Sequence, residues 1–201
     1  MNFITLFIIM NIPSYYSHPI VQSINSIVRQ SNEQLEGCSM FLHLEDFNPR
    51  IDEETLKLQH NLIHIGKQSS CIIEIGFNAG HSNFLFLKDN PGCKIINFDI
   101  LSHSYTQPCF DHLRQFYNID LIVGDSTVTL PEYNLESPVS AIHIDGGHGK
   151  ECALADLQHC KKFADHNTII IFDDTFLPWL NELLDYAIHF NFLREISYDS
   201  S

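Results

Sequence analysis

The sequence predicts an α/β fold, a doubly wound and mostly parallel sheet with a helical N-terminal extension. Three observations lead there. From Cys71 onward, five short apolar runs rich in β-branched and aromatic residues recur, as in parallel strands covered on both faces. Amphipathic segments of helical spacing lie between them, and repeated strand–helix alternation is satisfied by a doubly wound sheet. At 201 residues and 44% hydrophobic content, the chain is long enough to bury one real core.

The elements follow in order. Residues 1–66 form the helical extension and residues 67–201 the sheet domain. Met1–Met10 is apolar but too short to span a bilayer. It lacks the positive flank of a leader and is expected to pack against the domain. Helices are expected over Pro19–Gln30 and Asp52–Ile65, with a turn-rich region near Phe47–Arg50. The strand candidates are Cys71–Ile75, Lys94–Asp99, Ile119–Val123, Val139–Ile144 and Thr168–Phe172. Pro108, ahead of Phe110, Leu113 and Tyr117, suits the first turn of a helix. Cys152–Ala164 places Ala153, Leu157, Cys160 and Ala164 on one face. Trp179–Phe190 does the same with Leu180, Leu183, Leu184, Ala187 and Phe190.

Composition excludes some function classes. Eleven Lys and Arg stand against 25 Asp and Glu, a net charge of −14. Binding to a phosphate backbone draws on clustered basic residues, and no basic run exists here. Six cysteines, at 38, 71, 93, 109, 152 and 160, form no C-x-x-C pair. Several sit in apolar runs, where a reduced cysteine acts as a small hydrophobe. A reducing compartment, the cytoplasm, is the expectation.

Ligands of doubly wound sheets bind beyond the carboxyl ends of the strands, so the chemistry is expected just after Ile75, Asp99, Val123, Ile144 and Phe172. The first of these turns reads Glu74-Ile75-Gly76-Phe77-Asn78-Ala79-Gly80-His81-Ser82. Its G-x-x-x-G spacing allows a tight turn and close ligand approach, or serves structure alone. It is not the G-x-G-x-x-G that seats a pyrophosphate. Asp99 can accept hydrogen bonds from both hydroxyls of a ribose, or cap a turn. In Gly124-Asp125-Ser126, Asp125 can accept from an adenine amino group or cap the next helix. The last two strands end in His143-Ile144-Asp145-Gly146-Gly147-His148 and Asp173-Asp174. Three carboxylates at neighbouring strand ends repel one another without a cation, and hard oxygen donors suit Mg²⁺ or Ca²⁺. His148 can act as a general base near neutral pH. His143, within an apolar strand, reads as a satisfied sheet histidine rather than part of a metal-hydrolase cluster.

Taken together, these segments resemble the class I S-adenosylmethionine (SAM)-dependent methyltransferases, Rossmann-like in fold. They match the branch carrying E-I-G-x-x-x-G-x-S, G-D-S, I-D-G-G-H and D-D, over about Asp52 to Phe190. The resemblance implies SAM contacts from Glu74, Gly76, Phe77, Asn78, Gly80 and Ser82, with Asp99 on the ribose and Asp125 and Ser126 near the adenine. Similarity to metal-dependent O-methyltransferases implies Mg²⁺ on Asp145, Asp173 and Asp174, and Asp145 and His148 as the catalytic pair. It further implies a small-molecule or sugar acceptor, with neither nucleic acid nor membrane as partner, and leaves a homo-oligomer open. Two rivals are a nicotinamide-dependent oxidoreductase on a similar sheet and a non-catalytic protein that kept the fold. Such folds usually end in a strand hairpin, whereas only Phe192–Tyr198 follows the last helix, so an incomplete hairpin is expected.

Overall fold

The computed structural model describes residues 12–147 and 149–196. A short 3₁₀ turn, Ser14–Ser17, leads into helix α1 (Pro19–Ser31). Pro19 supplies a preset first turn, and His18 Nδ1 accepts from the Ile20 amide at 3.3 Å. A two-stranded antiparallel pair follows, β1 (Phe41–His43) with β2 (Asn48–Pro49). Helix α2 (Glu53–Gln68) is set by Asp52, whose Oδ1 accepts from the Thr55 amide at 2.9 Å. Glu53 and Glu54 in its first turn and Lys67 in its last complement the helix dipole.

The sheet domain runs β3 (Cys71–Ile75), α3 (His81–Leu87), β4 (Lys94–Asp99), α4 (Thr106–Leu113), β5 (Asn118–Val123), α5 (Ser126–Glu132) and β6 (Ala141–Ile144). It continues with α6 (Lys150–Cys160), β7 (Ile169–Phe172) and α7 (Pro178–His189). All five strands are parallel, in the order β5-β4-β3-β6-β7. The chain therefore reverses its direction of winding between β3 and β6, and a crevice opens outside their carboxyl ends.

Side chains alternate across the sheet. Ile73, Ile75, Ile96, Phe98, Ile142 and Ile144 face one core, closed by Leu130, Cys160 and Phe163. Ile72, Ile95 and Ala141 face the other, which is continuous with α1, α2, α3 and the β1–β2 region. The extension is thus built into the same core as the sheet. Helices α2 and α3 approach closely at Gly66, where a Cβ would lie 1.9 Å from the Phe86 carbonyl oxygen. That contact leaves room for no side chain.

The expected strands fall where the structure has them, β3 and β4 at the expected bounds and the other three with one end moved by one or two residues. Val139 leaves the β6 ladder because its amide bonds Phe163 O at 2.9 Å. β2 lies within Phe47–Arg50, the region expected only as turns, and β1 precedes it in a stretch with no expected element. All six cysteines are free. Among the described residues no helix is long and apolar enough to cross a membrane. The expectations for Met1–Met10 and His148 lie outside the described residues. Of Phe192–Tyr198, residues 192–196 are described and contain no strand.

Candidate active site

The glycine turn after β3 is pinned by its neighbours rather than loose. Gly76 has φ +92°, and a Cβ there would sit 2.0 Å from the Asp145 carbonyl oxygen. Only glycine tolerates both conditions. Gly76 N donates to Phe98 O at 2.8 Å and Asp145 N to Ile75 O at 2.9 Å. The turns after β3, β4 and β6 are therefore tied to one another by backbone.

Asp99 completes the tie. Its Oδ2 accepts from the Phe77 and Asn78 amides at 2.8 and 2.9 Å, and Oδ1 accepts from Leu101 N at 2.7 Å. A carboxylate has about four acceptor sites, so one lone pair, on Oδ1, remains for a ligand. Asp99 thus has capacity for one ribose hydroxyl without giving up a backbone partner. Asp125 caps α5: its Oδ1 accepts from Thr127 N at 2.9 Å and from Thr127 Oγ1 at 2.7 Å. Those bonds from Thr127 hold its carboxyl below the usual range.

A cavity of about 780 Å³ lies over these turns. Its wall brings together Gly76, Asn78, Asp99, Asp125, Ser126, Asp145, Asp173 and Asp174 from the sequence-predicted set. Four predicted contacts are absent from it. The alternation of β3 sends Glu74 into the layer beneath α3, where it is fully buried. Phe77 is buried edge-on against Phe110 at 5.7 Å. Gly80, at φ +81°, precedes α3 under the Phe77 and Leu113 side chains, and Ser82 follows within that helix. The far wall comes from the extension, through Glu36, Cys38, Arg50 and Glu54. No local motif marks these residues.

Glu36 belongs to a strap across the mouth. His103 Nδ1 and Nε2 lie 3.0 Å from Glu33 Oε2 and 2.6 Å from Glu36 Oε2. Its ring stacks on Tyr105 at 4.8 Å. Tyr105 donates to Asn78 Oδ1 at 2.7 Å, and Asn78 Nδ2 donates to Glu36 O at 2.6 Å. Burial pulls the His103 pKa down, but Glu36 and Glu33 outweigh it and the net shift is upward.

Beneath the cavity runs a buried polar chain. Asn97 donates to Asp120 O at 3.1 Å and pairs with Asn83. Asn83 donates to Glu74 Oε2, and Glu74 Oε1 meets His143 Nδ1 at 2.7 Å. His143 is therefore engaged on one side, as the satisfied-histidine reading expects. Its Nε2, however, is buried with no hydrogen-bond partner. Burial drives the Asp145 carboxyl up, and Asp173, Glu74 and Asp174 add to this against the opposing His143. Asp156, fully buried in α6, is also raised by burial, and its Oδ2 is 3.7 Å from Cys152 Sγ.

A methyltransferase-domain family model matches residues 73–175, about half of the chain. The chain belongs to this family, which decides against the oxidoreductase reading. No curated protein matches it in sequence. Among solved structures, the cofactor-bound Rv0187 from MTB aligns with a TM-score of 0.61 at 16% identity, covering 84% of this chain and 77% of that one. The O-methyltransferase TomG from Streptomyces achromogenes, in complex with SAM and involved in tomaymycin synthesis, gives 0.59 at 14% identity, over 89% and 79% of the two chains. The SAH-bound methyltransferase PaMTH1 from Podospora anserina gives 0.54 at 15% identity over 79% of this chain, which spans 63% of that chain's length. These likenesses show the Rossmann-like methyltransferase fold.

Proposed function

We propose that the chain transfers a methyl group from SAM to a hydroxyl of a small molecule or sugar, with a divalent cation at Asp145, Asp173 and Asp174. The observation that carries this reading is the cavity of about 780 Å³ at the winding reversal. It joins the Asp99 lone pair, the Gly124–Ser126 turn and the carboxylates ending β6 and β7.

The residues present fit both groups. A methyl donor of this kind supplies an electrophilic methyl on a cationic sulfur. The wall around it is acidic, with Glu36, Glu54 and Asp99 against Arg50, and such a field favours a cationic ligand. Asp99 Oδ1 takes a ribose hydroxyl, and the turn at Asp125 and Ser126 receives the base. A divalent cation lowers the pKa of a bound hydroxyl, and Asp145 and Asp173 would hold it. His148, three residues beyond Asp145 in sequence, accepts the acceptor's proton. The extension closes the far wall, so binding there aligns the acceptor with the donor, the main lever in a two-substrate reaction.

The test is calorimetric titration with SAM, followed by transfer of labelled methyl to a panel of catechol and sugar hydroxyls, with and without Mg²⁺. Asp99→Asn is expected to weaken SAM binding by about tenfold, the loss of one charged hydrogen bond. Absence of SAM binding at millimolar ligand would overturn the reading. Full turnover in chelator would remove the cation alone.

A further inference from the structure

His143 lies in β6, Asp145 follows that strand two residues on, and Asp173 follows β7, the neighbouring strand. A ring nitrogen of His143 and one oxygen from each acid lie within 4.8 Å of one another. A pair of acids alone defines no site. The imidazole is the independent observation: it is 1% exposed, Nδ1 is taken by Glu74, and Nε2 has no partner. A buried polar atom left unpaired is destabilising, so an unfilled Nε2 points to a missing partner. We propose that His143 Nε2 is a metal ligand, and that with Asp145 and Asp173 it makes a nitrogen-bearing site for a divalent transition ion rather than Mg²⁺.

The surroundings of His143 are built for this role. A histidine that ligates a metal usually donates its other N–H to a carboxylate, which fixes tautomer and ring orientation. Glu74 Oε1 is that acceptor here, 2.7 Å from His143 Nδ1. Glu74 is itself fixed by Asn83, which is held by Asn97. Phe86 packs against the imidazole in a T-shaped arrangement, ring centroids 5.7 Å apart. With Nδ1 engaged by Glu74, a bound metal takes the Nε2 lone pair in place of the ring's second proton. Imidazole with carboxylates suits Mn²⁺, Fe²⁺, Co²⁺ or Zn²⁺, whereas an all-oxygen site suits Mg²⁺. The inference shares with the proposed function a cation at Asp145 and Asp173, and adds to it the donor that selects the ion.

The probe is Co²⁺ alone, titrated into the full chain without methyl donor and compared with Mg²⁺. Co²⁺ is expected to bind the tighter. His143→Gln keeps an amide donor for Glu74 but removes the ring nitrogen, and is expected to weaken Co²⁺ by about 10- to 100-fold while leaving Mg²⁺ nearly unchanged. Should that variant not fold, X-ray absorption on wild type loaded with one equivalent of Co²⁺ reads the same point through outer-shell imidazole scattering. Equal affinity for the two ions, an unaltered Co²⁺ constant in His143→Gln, or an all-oxygen shell overturns the inference. SAM binding, measured separately without metal, tests the proposed function and leaves these outcomes unaffected.

Discussion

His81 opens α3 almost wholly buried, with Nε2 2.9 Å from Asn25 Oδ1 and the Phe41 ring edge-on at 5.3 Å. Burial lowers its pKa from 6.5 to about 4. The unfolded chain therefore takes up a proton on His81 below pH 6.5 while the native chain does not, until about pH 4. Stability from this residue is complete above pH 6.5 and falls as the pH drops through that window, by about 3 kcal/mol in all. Urea midpoints at pH 7, 5.5 and 4.5 check it: His81→Gln, which can still donate to Asn25, is expected to flatten the slope by that amount. An identical slope in the variant would show that the buried ring is not what titrates. Gln59 is the comparable uncharged case. It bonds Tyr15, Tyr16 (2.7 Å) and Ser39 O (2.8 Å) in the interior, so its burial brings no pH dependence.

At the scale of elements, the strap from Glu33 to Gly37 titrates in the opposite direction. His103 is raised above its ordinary value by Glu36 and Glu33, so its bridging charge is in place below pH 6.5 and is lost as the pH rises through the raised pKa. Amide exchange, corrected for its intrinsic pH dependence, is expected to show residues 33–37 opening more readily at pH 8.5 than at pH 6. His103→Gln is expected to abolish the difference, and protection that does not change with pH would count against the bridge. The strap also marks the limit of what could be read in advance. Strands β3 to β7 announce themselves as apolar runs, and their ends carry Gly76, Asp99, Asp125, Asp145 and Asp173, so the strand-end wall of the cavity is legible from local pattern. The far wall is not, because Glu36, Arg50 and Glu54 reach the cavity only through packing of the extension on the sheet. The glycine motif points Glu74 at the ligand, but strand alternation turns its side chain the other way. Its pairing with His143 depends on β3 and β6 being neighbours, and strand order is not written in either segment.

For the whole molecule, a net charge of −14 means self-repulsion in the folded state. The ion pairs that offset it, such as Lys94 with Asp120 at 2.8 Å and Lys57 with Glu53 at 3.3 Å, are exposed and individually weak. Raising salt from 0.01 to 0.15 M shortens the screening length from about 30 to about 8 Å. The thermal midpoint is therefore expected to rise with NaCl in a melting series followed by circular dichroism. A fall would mean that attractive pairs dominate the balance. The polar chain crossing β4, β3 and β6 constrains how this molecule can vary. Asn97, Asn83, Glu74 and His143 each satisfy the next, so replacing one strands its neighbour in the interior, whereas replacing all four with apolar groups of similar volume takes a donor only from the Asp120 carbonyl on the edge strand β5. A lineage or a designer cannot walk from one version to the other by single neutral steps. The chain is inherited, or discarded, as a block.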